Sequence, residues 1–221
     1  MIDPRKIVVE GYDGIAREYL ELVKSMESIV RSKYLNMLVN LLSPGATILE
    51  LGCGAGVPMT RRLVDEGFEV TGVDISREQL ALAEKNVPEA MLILGDMTEL
   101  EFNDSSFDAV TAFYSITHIP RIDHPNLITS IYKLLKPGGI LLANLGKGDL
   151  PDTIESDWLG KPMFFSHYDA DTSEEMIRKT GLEIIRADDE PEMEYDHPVC
   201  FRWFVARKPG NNPRIPGGTR N

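Results

Sequence analysis

Residues 48–56 read ILELGCGAG, with glycine at 52, 54 and 56 just behind Glu50. Glycine takes positive φ and lets a backbone approach a ligand with no Cβ in the way. A helix N-terminus beyond such a turn adds free N–H groups and a partial positive charge. The stretch therefore suits a nucleotide-like ligand. A dinucleotide site spaces its glycines GxGxxG, but here the third-glycine position is Val57. Two carboxylates follow apolar runs: Asp74 after FEVTGV, and Asp96 after MLILG. Asp74 could cap a helix, and Glu50 could pair with a lysine. Histidine titrates near neutral pH and is the natural proton acceptor. His118 in FYSITHIP and His167 in MFFSHY are the candidates, against structural readings in which His118 bonds backbone and His167 sits in a core-covering loop. His124 and His197 each precede a proline and read as loop residues.

The elements that must position these groups follow from periodicity. Ile15, Tyr19, Leu22, Val23, Met26, Ile29 and Val30 recur at spacings of three and four. They predict an amphipathic helix, broken once and continuing through Leu38, Leu41 and Leu42. Thr47–Leu51 reads as a strand running into the glycine turn. Phe68–Asp74, Ala90–Leu94, Phe107–Tyr114 and Ile140–Leu145 read as four more. Helices alternate with them, one of them capped by Ser76, with Gln79 at capping-box spacing. Alternation of this kind predicts an α/β fold with a parallel sheet and helices on both faces. Ligands of such sheets bind at the carboxyl ends of the strands. The glycine turn, Asp74 and Asp96 all fall at such ends. Leu182–Ala187 and Val199–Arg207 are separated only by a short acidic run, Asp188–Asp196, too short for a crossover helix. They should therefore pair antiparallel. The acidic run reads as a solvated hairpin, or as an attractor for a cationic amine.

Composition bounds the function. The 221 residues carry a formal net charge of −12 and no basic cluster longer than a pair. Such a surface is poorly suited to a phosphate backbone, so no nucleic-acid partner is expected. No apolar run reaches the roughly 20 residues that span a bilayer, so no membrane partner is expected. The two cysteines, Cys53 and Cys200, form no CxxC, and a reduced, cytoplasmic location is expected. No His/Cys spacing suits zinc and no carboxylate order suits calcium, so no metal is expected. The length suits one domain over 1–207, its residues 1–42 a helical lid region. The Pro/Gly/Asn-rich 208–221 is expected to be a disordered tail.

Taken in order, several motifs resemble the class I S-adenosylmethionine-dependent methyltransferases, small-molecule type, over roughly residues 10–207. Glu50–Gly56 matches that family's glycine motif, Val73-Asp74-Ile75-Ser76 the acidic end of its second strand, and Gly95-Asp96-Met97 that of its third. Phe107-Asp108-Ala109-Val110 matches its fourth strand, and Leu134–Gly139 the approach to its fifth. The resemblance implies a Rossmann-like seven-stranded, mostly parallel sheet with an antiparallel last strand. It also implies S-adenosylmethionine as cofactor, S-adenosylhomocysteine as product, and a small-molecule acceptor methylated by direct displacement. Asp74 would hold the ribose hydroxyls, with Ile75 beside it. Asp96 would meet the adenine amino group, and Met97 the ring. Gly52, Cys53, Gly54, Gly56 and Glu50 would serve the methionine end. The Tyr12–Tyr19 stretch matches the family's Y-D-x-x-A-x-x-Y; Tyr19 would cover the sulfonium, or else be a core position. Phe113, Tyr114 and His118 would line the cofactor, with His118 and His167 the candidate bases. Tyr12, Trp158, His167 and Tyr168 would face the acceptor. Three other readings stay open: a non-catalytic cofactor-binding regulator, a protein or peptide methyltransferase, and an NAD-dependent reductase. Against the reductase, no YxxxK pair is present, since Tyr114 is followed by His118. Against nucleic-acid amino methylation, Ala112–Ser115 lacks the Asp/Asn/Ser-Pro-Pro-aromatic motif. The protein is expected to be a monomer or a homodimer.

Overall fold

The computed structural model describes residues 3–26, 28–194 and 197–210. Helix α1 (Pro4–Ser25) begins where Asp3 accepts from the Arg5 N–H, and Pro4 fits the first turn. It ends at Met26, and Ser28 caps α2 (Ile29–Leu41) through the Arg31 N–H. The expected single break is therefore there. Ile29, however, lies on the solvent side of the new helix rather than on the apolar stripe.

The sheet contains β1 (Thr47–Leu51), β2 (Glu69–Asp74), β3 (Met91–Leu94), β4 (Phe107–Ala112), β5 (Leu135–Gly146), β8 (Glu183–Glu194) and β9 (His197–Arg207). Its order is β3-β2-β1-β4-β5-β9-β8. Strands β1 to β5 run parallel, while β9 is antiparallel to both neighbours. Chain order reverses between β1 and β4, which opens a crevice at their carboxyl ends. Between the strands run α3 (Met59–Asp65), α4 (Arg77–Asn86), α5 (His124–Leu134) and α6 (Ala170–Lys179). Leu127, Ile128, Ile131 and Ile177 of α5 and α6 pack one sheet face. Tyr34, Leu38, Met59 and Leu63 of α2 and α3 pack the other.

Four sequence expectations need correction. The stretch after β5 is not a loop: β6 (Leu150–Trp158) and β7 (Lys161–His167) form an antiparallel hairpin. Trp158, Met163 and Phe164 from it bury with Ile7, Val8 and Ile15 of α1 in a third, separate core. The acidic run belongs to a hairpin, as expected, but not a solvated one, since most of it extends β8 against β9 and is paired with side chains from elsewhere. Lys33 pairs with Asp188 and Glu190, Arg202 and Lys147 with Asp189, and Tyr114 donates to Glu192. Asp188, Asp189 and Glu190 are thus paired with cations, whereas Glu192 borders the large cavity with its Oε1 lacking a hydrogen-bond partner among the described residues. His124 is not a loop residue: it is fully buried in the first turn of α5 and bonds the Ile119 carbonyl at 3.0 Å. His197 opens β9. Of the expected tail, 211–221 lies outside the described residues. Lys208 is tied down, its N–H donating to Gly139 and its ammonium to the Tyr132 and Leu135 carbonyls.

Candidate active site

Three connected cavities lie over the carboxyl ends of β1, β2 and β4, roofed by α1 and the β6–β7 hairpin. The first is lined by Gly52, Gly54, Asp74, Ile75, Asp96 and Met97 with Arg5 of α1. The second, a smaller niche, is bordered by Glu50, Gly52, Cys53, Gly54 and Arg31. The third, about 830 Å³, is walled largely by Tyr, Trp, Phe and aliphatic side chains of α1, the hairpin and β9. Tyr19 and Tyr114 border all three; Tyr12 and His118 border the first and third.

The glycine turn divides its labour. Gly52 and Gly54 have φ of +76° and +54°, values that side chains rarely adopt. A Cβ at Gly52 would collide with the Ser115 Cβ, and one at Gly56 would press on Val87 of the α4 cap at 2.8 Å. At Gly54 a Cβ would meet only Gln79 Oε1, at 3.8 Å. Gly54 is thus the point where backbone faces open cleft. Gly52 borders it and also admits Ser115. Gly56 lies outside the cavities and serves packing against α4, so the expectation that it meets a ligand is corrected.

Asp74 ends β2. Its Oδ2 accepts the Gly54 N–H at 2.8 Å and its Oδ1 the Ser76 N–H at 2.9 Å. Burial pushes its pKa up to about 6, against those bonds. Asp96 is held by both Thr98 donors and by Arg5, whose Nε is 2.6 Å from Oδ2. Arg5 is the residue the sequence did not reveal: it reaches the end of β3 from α1, which no local spacing signals. Asp13 also ties α1 down, accepting from Ser76 Oγ at 2.6 Å and from the Glu78 N–H at 3.1 Å. Helix α1 is therefore clamped to the loops that carry Asp74 and Asp96.

Glu50 is 2% exposed, and its carboxylate accepts from Thr60 Oγ1 at 2.7 Å. Burial raises its pKa to about 7. Arg31, 9% exposed, borders the same niche. A pKa raised on folding stabilises the fold below the unfolded value, and that contribution is lost as pH climbs through the folded value. Glu50→Gln keeps the Thr60 acceptor and removes the charge. Its melting temperature is expected to match wild type near pH 4, below the unfolded carboxyl value, and to exceed it at pH 8. The gain at pH 8 is capped at about 3 kcal/mol. Equal effects at both values would contradict this.

Tyr114 has φ of +55°, a strained setting for a non-glycine residue. It is held from both ends, its N–H on Asn144 Oδ1 at 2.8 Å and its hydroxyl on Glu192 Oε2 at 2.6 Å. Burial, and then the Glu192 carboxylate beside it, push the phenol's pKa above its ordinary value. His118 Nδ1 lies 2.8 Å from the Phe164 carbonyl, which can only accept, so Nδ1 carries the proton. Nε2 then accepts from the Tyr12 hydroxyl, also at 2.8 Å. Burial lowers the His118 pKa to about 4. His118 is therefore neutral with both nitrogens engaged, which weakens its candidacy as a base. His167 borders only the large cavity, Nδ1 on the Gly148 carbonyl at 2.9 Å. Trp158 joins Tyr12, Tyr19 and Phe165 in an aromatic cluster with centroids 5.6–5.9 Å from its own. Tyr168 lies outside the cavities, under the Arg121 guanidinium, which corrects its expected acceptor contact. Among the described residues no group of His, Cys, Asp or Glu is placed to hold a metal ion, and no helix is long and apolar enough to cross a membrane.

Comparison with known proteins agrees with this geometry. A family model described as a methyltransferase domain matches residues 48–139, from β1 into β5, which include the glycine turn, Asp74, Asp96 and His118. An uncharacterized methyltransferase of Synechocystis (strain PCC 6803) is 31% identical over 140 residues, 62% of each chain. The 2-methyl-6-phytyl-1,4-hydroquinone methyltransferase of the same organism is 36% identical over 107 residues, 47% of this chain and 33% of that one. The chain thus spans less than two thirds of the length of either relative. Among solved structures, Burkholderia thailandensis 1,6-didemethyltoxoflavin-N1-methyltransferase, with bound 1,6-didemethyltoxoflavin and S-adenosylhomocysteine, has a TM-score of 0.71. At 16% identity over 95% of this chain and 92% of that one, the likeness bears on the fold. Sheet order, glycine turn and acidic strand ends thus accompany these matches: residues 48–139 are similar to a methyltransferase domain, and the fold is one that S-adenosylmethionine-dependent methyltransferases share.

Proposed function

We propose that the chain transfers a methyl group from S-adenosylmethionine to a small, largely apolar acceptor. One observation carries the reading: a cleft lined by Asp74 and Asp96 and a charged niche meet, at Tyr19 and Tyr114, a largely apolar and aromatic cavity of about 830 Å³. The residues present suit that cofactor. Gly54 leaves an open cradle, Asp74 offers a buried carboxylate to a diol, and Glu50 and Arg31 offer opposite charges to an amino-acid end. Once bound, the sulfonium supplies a methyl already activated for displacement. The chain's own task is to align the acceptor and exclude water. Tyr19, Tyr114 and the Tyr12–His118 pair stand at the junction where the acceptor atom would wait. The hydroquinone enzyme and the toxoflavin enzyme are named for small acceptors, which supports the same class here. The acidic charge weighs against nucleic acid.

His118 is neutral and engaged, so it is not the base; an acceptor arriving as a thiolate, a neutral amine or an acidic hydroxyl needs none. A group with a folded pKa of about 4 loses its proton well below neutrality. Hence kcat/KM is expected to show no ionisation between pH 5.5 and 8 that disappears in His118→Gln. A limb near pH 6.5 that His118→Gln abolishes would contradict this. The substrate class itself is tested with methyl-tritiated S-adenosylmethionine incubated beside a metabolite extract, a peptide pool and RNA. Label in the small-molecule fraction is the expected result. Label in peptide or RNA, or binding without any transfer, would overturn the reading.

A further inference from the structure

Gln79 sits in the first turn of α4 at the spacing of a capping box. Half of that box forms: Ser76 Oγ accepts the Gln79 N–H at 3.1 Å. The reciprocal bond would bring the Gln79 amide back to the Ser76 N–H, but that N–H is taken by Asp74 Oδ1. The amide is released from capping and left with no other work. It is 1% exposed, and neither Oε1 nor Nε2 has a hydrogen-bond partner among the described residues. Burial of an unmet donor and acceptor is a standing cost to the free protein. The side chain borders the cleft that holds Asp74, Ile75, Asp96 and Met97, with Oε1 beside the open face of Gly54. It does not border the niche of Glu50 and Arg31.

That placement selects the sugar of the nucleoside. Asp74 is acceptor-only when ionised, and each of its oxygens already takes one backbone N–H. It can receive the protons of a vicinal diol but cannot satisfy the lone pairs of the hydroxyl oxygens. A primary amide offers both a donor and an acceptor. We infer that Gln79 is a second ribose-binding residue, donating to and accepting from a hydroxyl whose proton economy Asp74 alone leaves incomplete. The inference rests on the cofactor reading above.

The test uses Gln79→Met, which is close in volume and has no amide. Three ligands are titrated: S-adenosylhomocysteine and its 2′-deoxy and 3′-deoxy counterparts; melting is recorded without ligand. The free variant is expected to melt at or above wild type, because an unmet buried amide is gone. Its affinity for S-adenosylhomocysteine is expected to fall about tenfold or more. At least one deoxy ligand should lose clearly less, since the hydroxyl that Gln79 reads is missing from it. Unchanged affinity for S-adenosylhomocysteine would overturn the inference while leaving the cofactor reading intact. So would a lower melting temperature with equal losses for all three ligands, which is the mark of packing. A folded wild type that binds none of the three would overturn the cofactor reading and this inference with it.

Discussion

Asp74→Ala is expected to weaken S-adenosylhomocysteine binding by about a hundredfold or more, with the chain still folded. Two hydrogen bonds to a charged acceptor are worth roughly 1.5–3 kcal/mol each, and a diol would lose both. The folded state loses less. Alanine leaves the Gly54 and Ser76 N–H groups without their acceptor, which costs stability. It also removes a buried carboxylate whose pKa stands at about 6, which returns stability near pH 7. The sign is fixed by linkage: a raised folded pKa means the charged form is a burden that grows as pH climbs through about 6. The two effects oppose, so a melting shift of only a few degrees is expected beside the large loss of affinity. The same pKa gives wild type a pH dependence. If the ionised carboxylate is what receives the diol, affinity should weaken progressively below pH 6. Calorimetric titration of both proteins at pH 5 and pH 7.5, with melting curves, checks each part. Equal affinity for wild type and variant would remove Asp74 from the site.

A pair of alanine substitutions two residues apart is expected to fail in opposite ways. Gly54→Ala adds a methyl group beside Gln79 in the open cleft, where only Oε1, at 3.8 Å, is near. The positive φ costs about 1–2 kcal/mol, so the protein should fold with a modestly lowered melting temperature. Its loss is in binding, since the methyl fills the backbone's approach to the ligand; about thirtyfold or more in affinity is a reasonable size for a lost close contact and displaced hydrogen bonds. Gly52→Ala puts its methyl into Ser115, whose hydroxyl is fixed on the Leu51 carbonyl at 2.7 Å. Backbone must move there. Overpacking and strain together cost about 3 kcal/mol, or roughly 6–12 °C in a domain of this size. Melting and titration on the two variants read the contrast directly. If both lose binding alone, or both lose stability alone, the division of the glycine turn is wrong.

The parts of the site that could be read from sequence are those whose chemistry is local. Gly52 and Gly54 announce a turn, and Asp74 and Asp96 end apolar runs, so alternation alone sets them at one edge of the sheet. The parts that could not be read depend on partners far along the chain. The β6–β7 hairpin carries little signal in the sequence, because β6 is polar and mostly exposed, with no alternating burial to reveal a strand. The acidic run in β8 looks solvated until Lys33, Lys147 and Arg202 arrive from elsewhere. His124 looks like a turn residue before proline, yet proline there opens a helix, and the ring goes inward. Gln79 shows the same limit at short range: its spacing predicts a cap, and only the competing carboxylate of Asp74 reveals that the amide is left over.

The central claim is that the cleft over β1, β2 and β4 holds S-adenosylmethionine. Titration calorimetry of the wild-type chain with S-adenosylhomocysteine, run in parallel with NADH, tests it most directly. The account predicts saturable binding of one S-adenosylhomocysteine per chain and no binding of NADH. Saturation by NADH, or no binding of S-adenosylhomocysteine to protein shown to be folded, would contradict it.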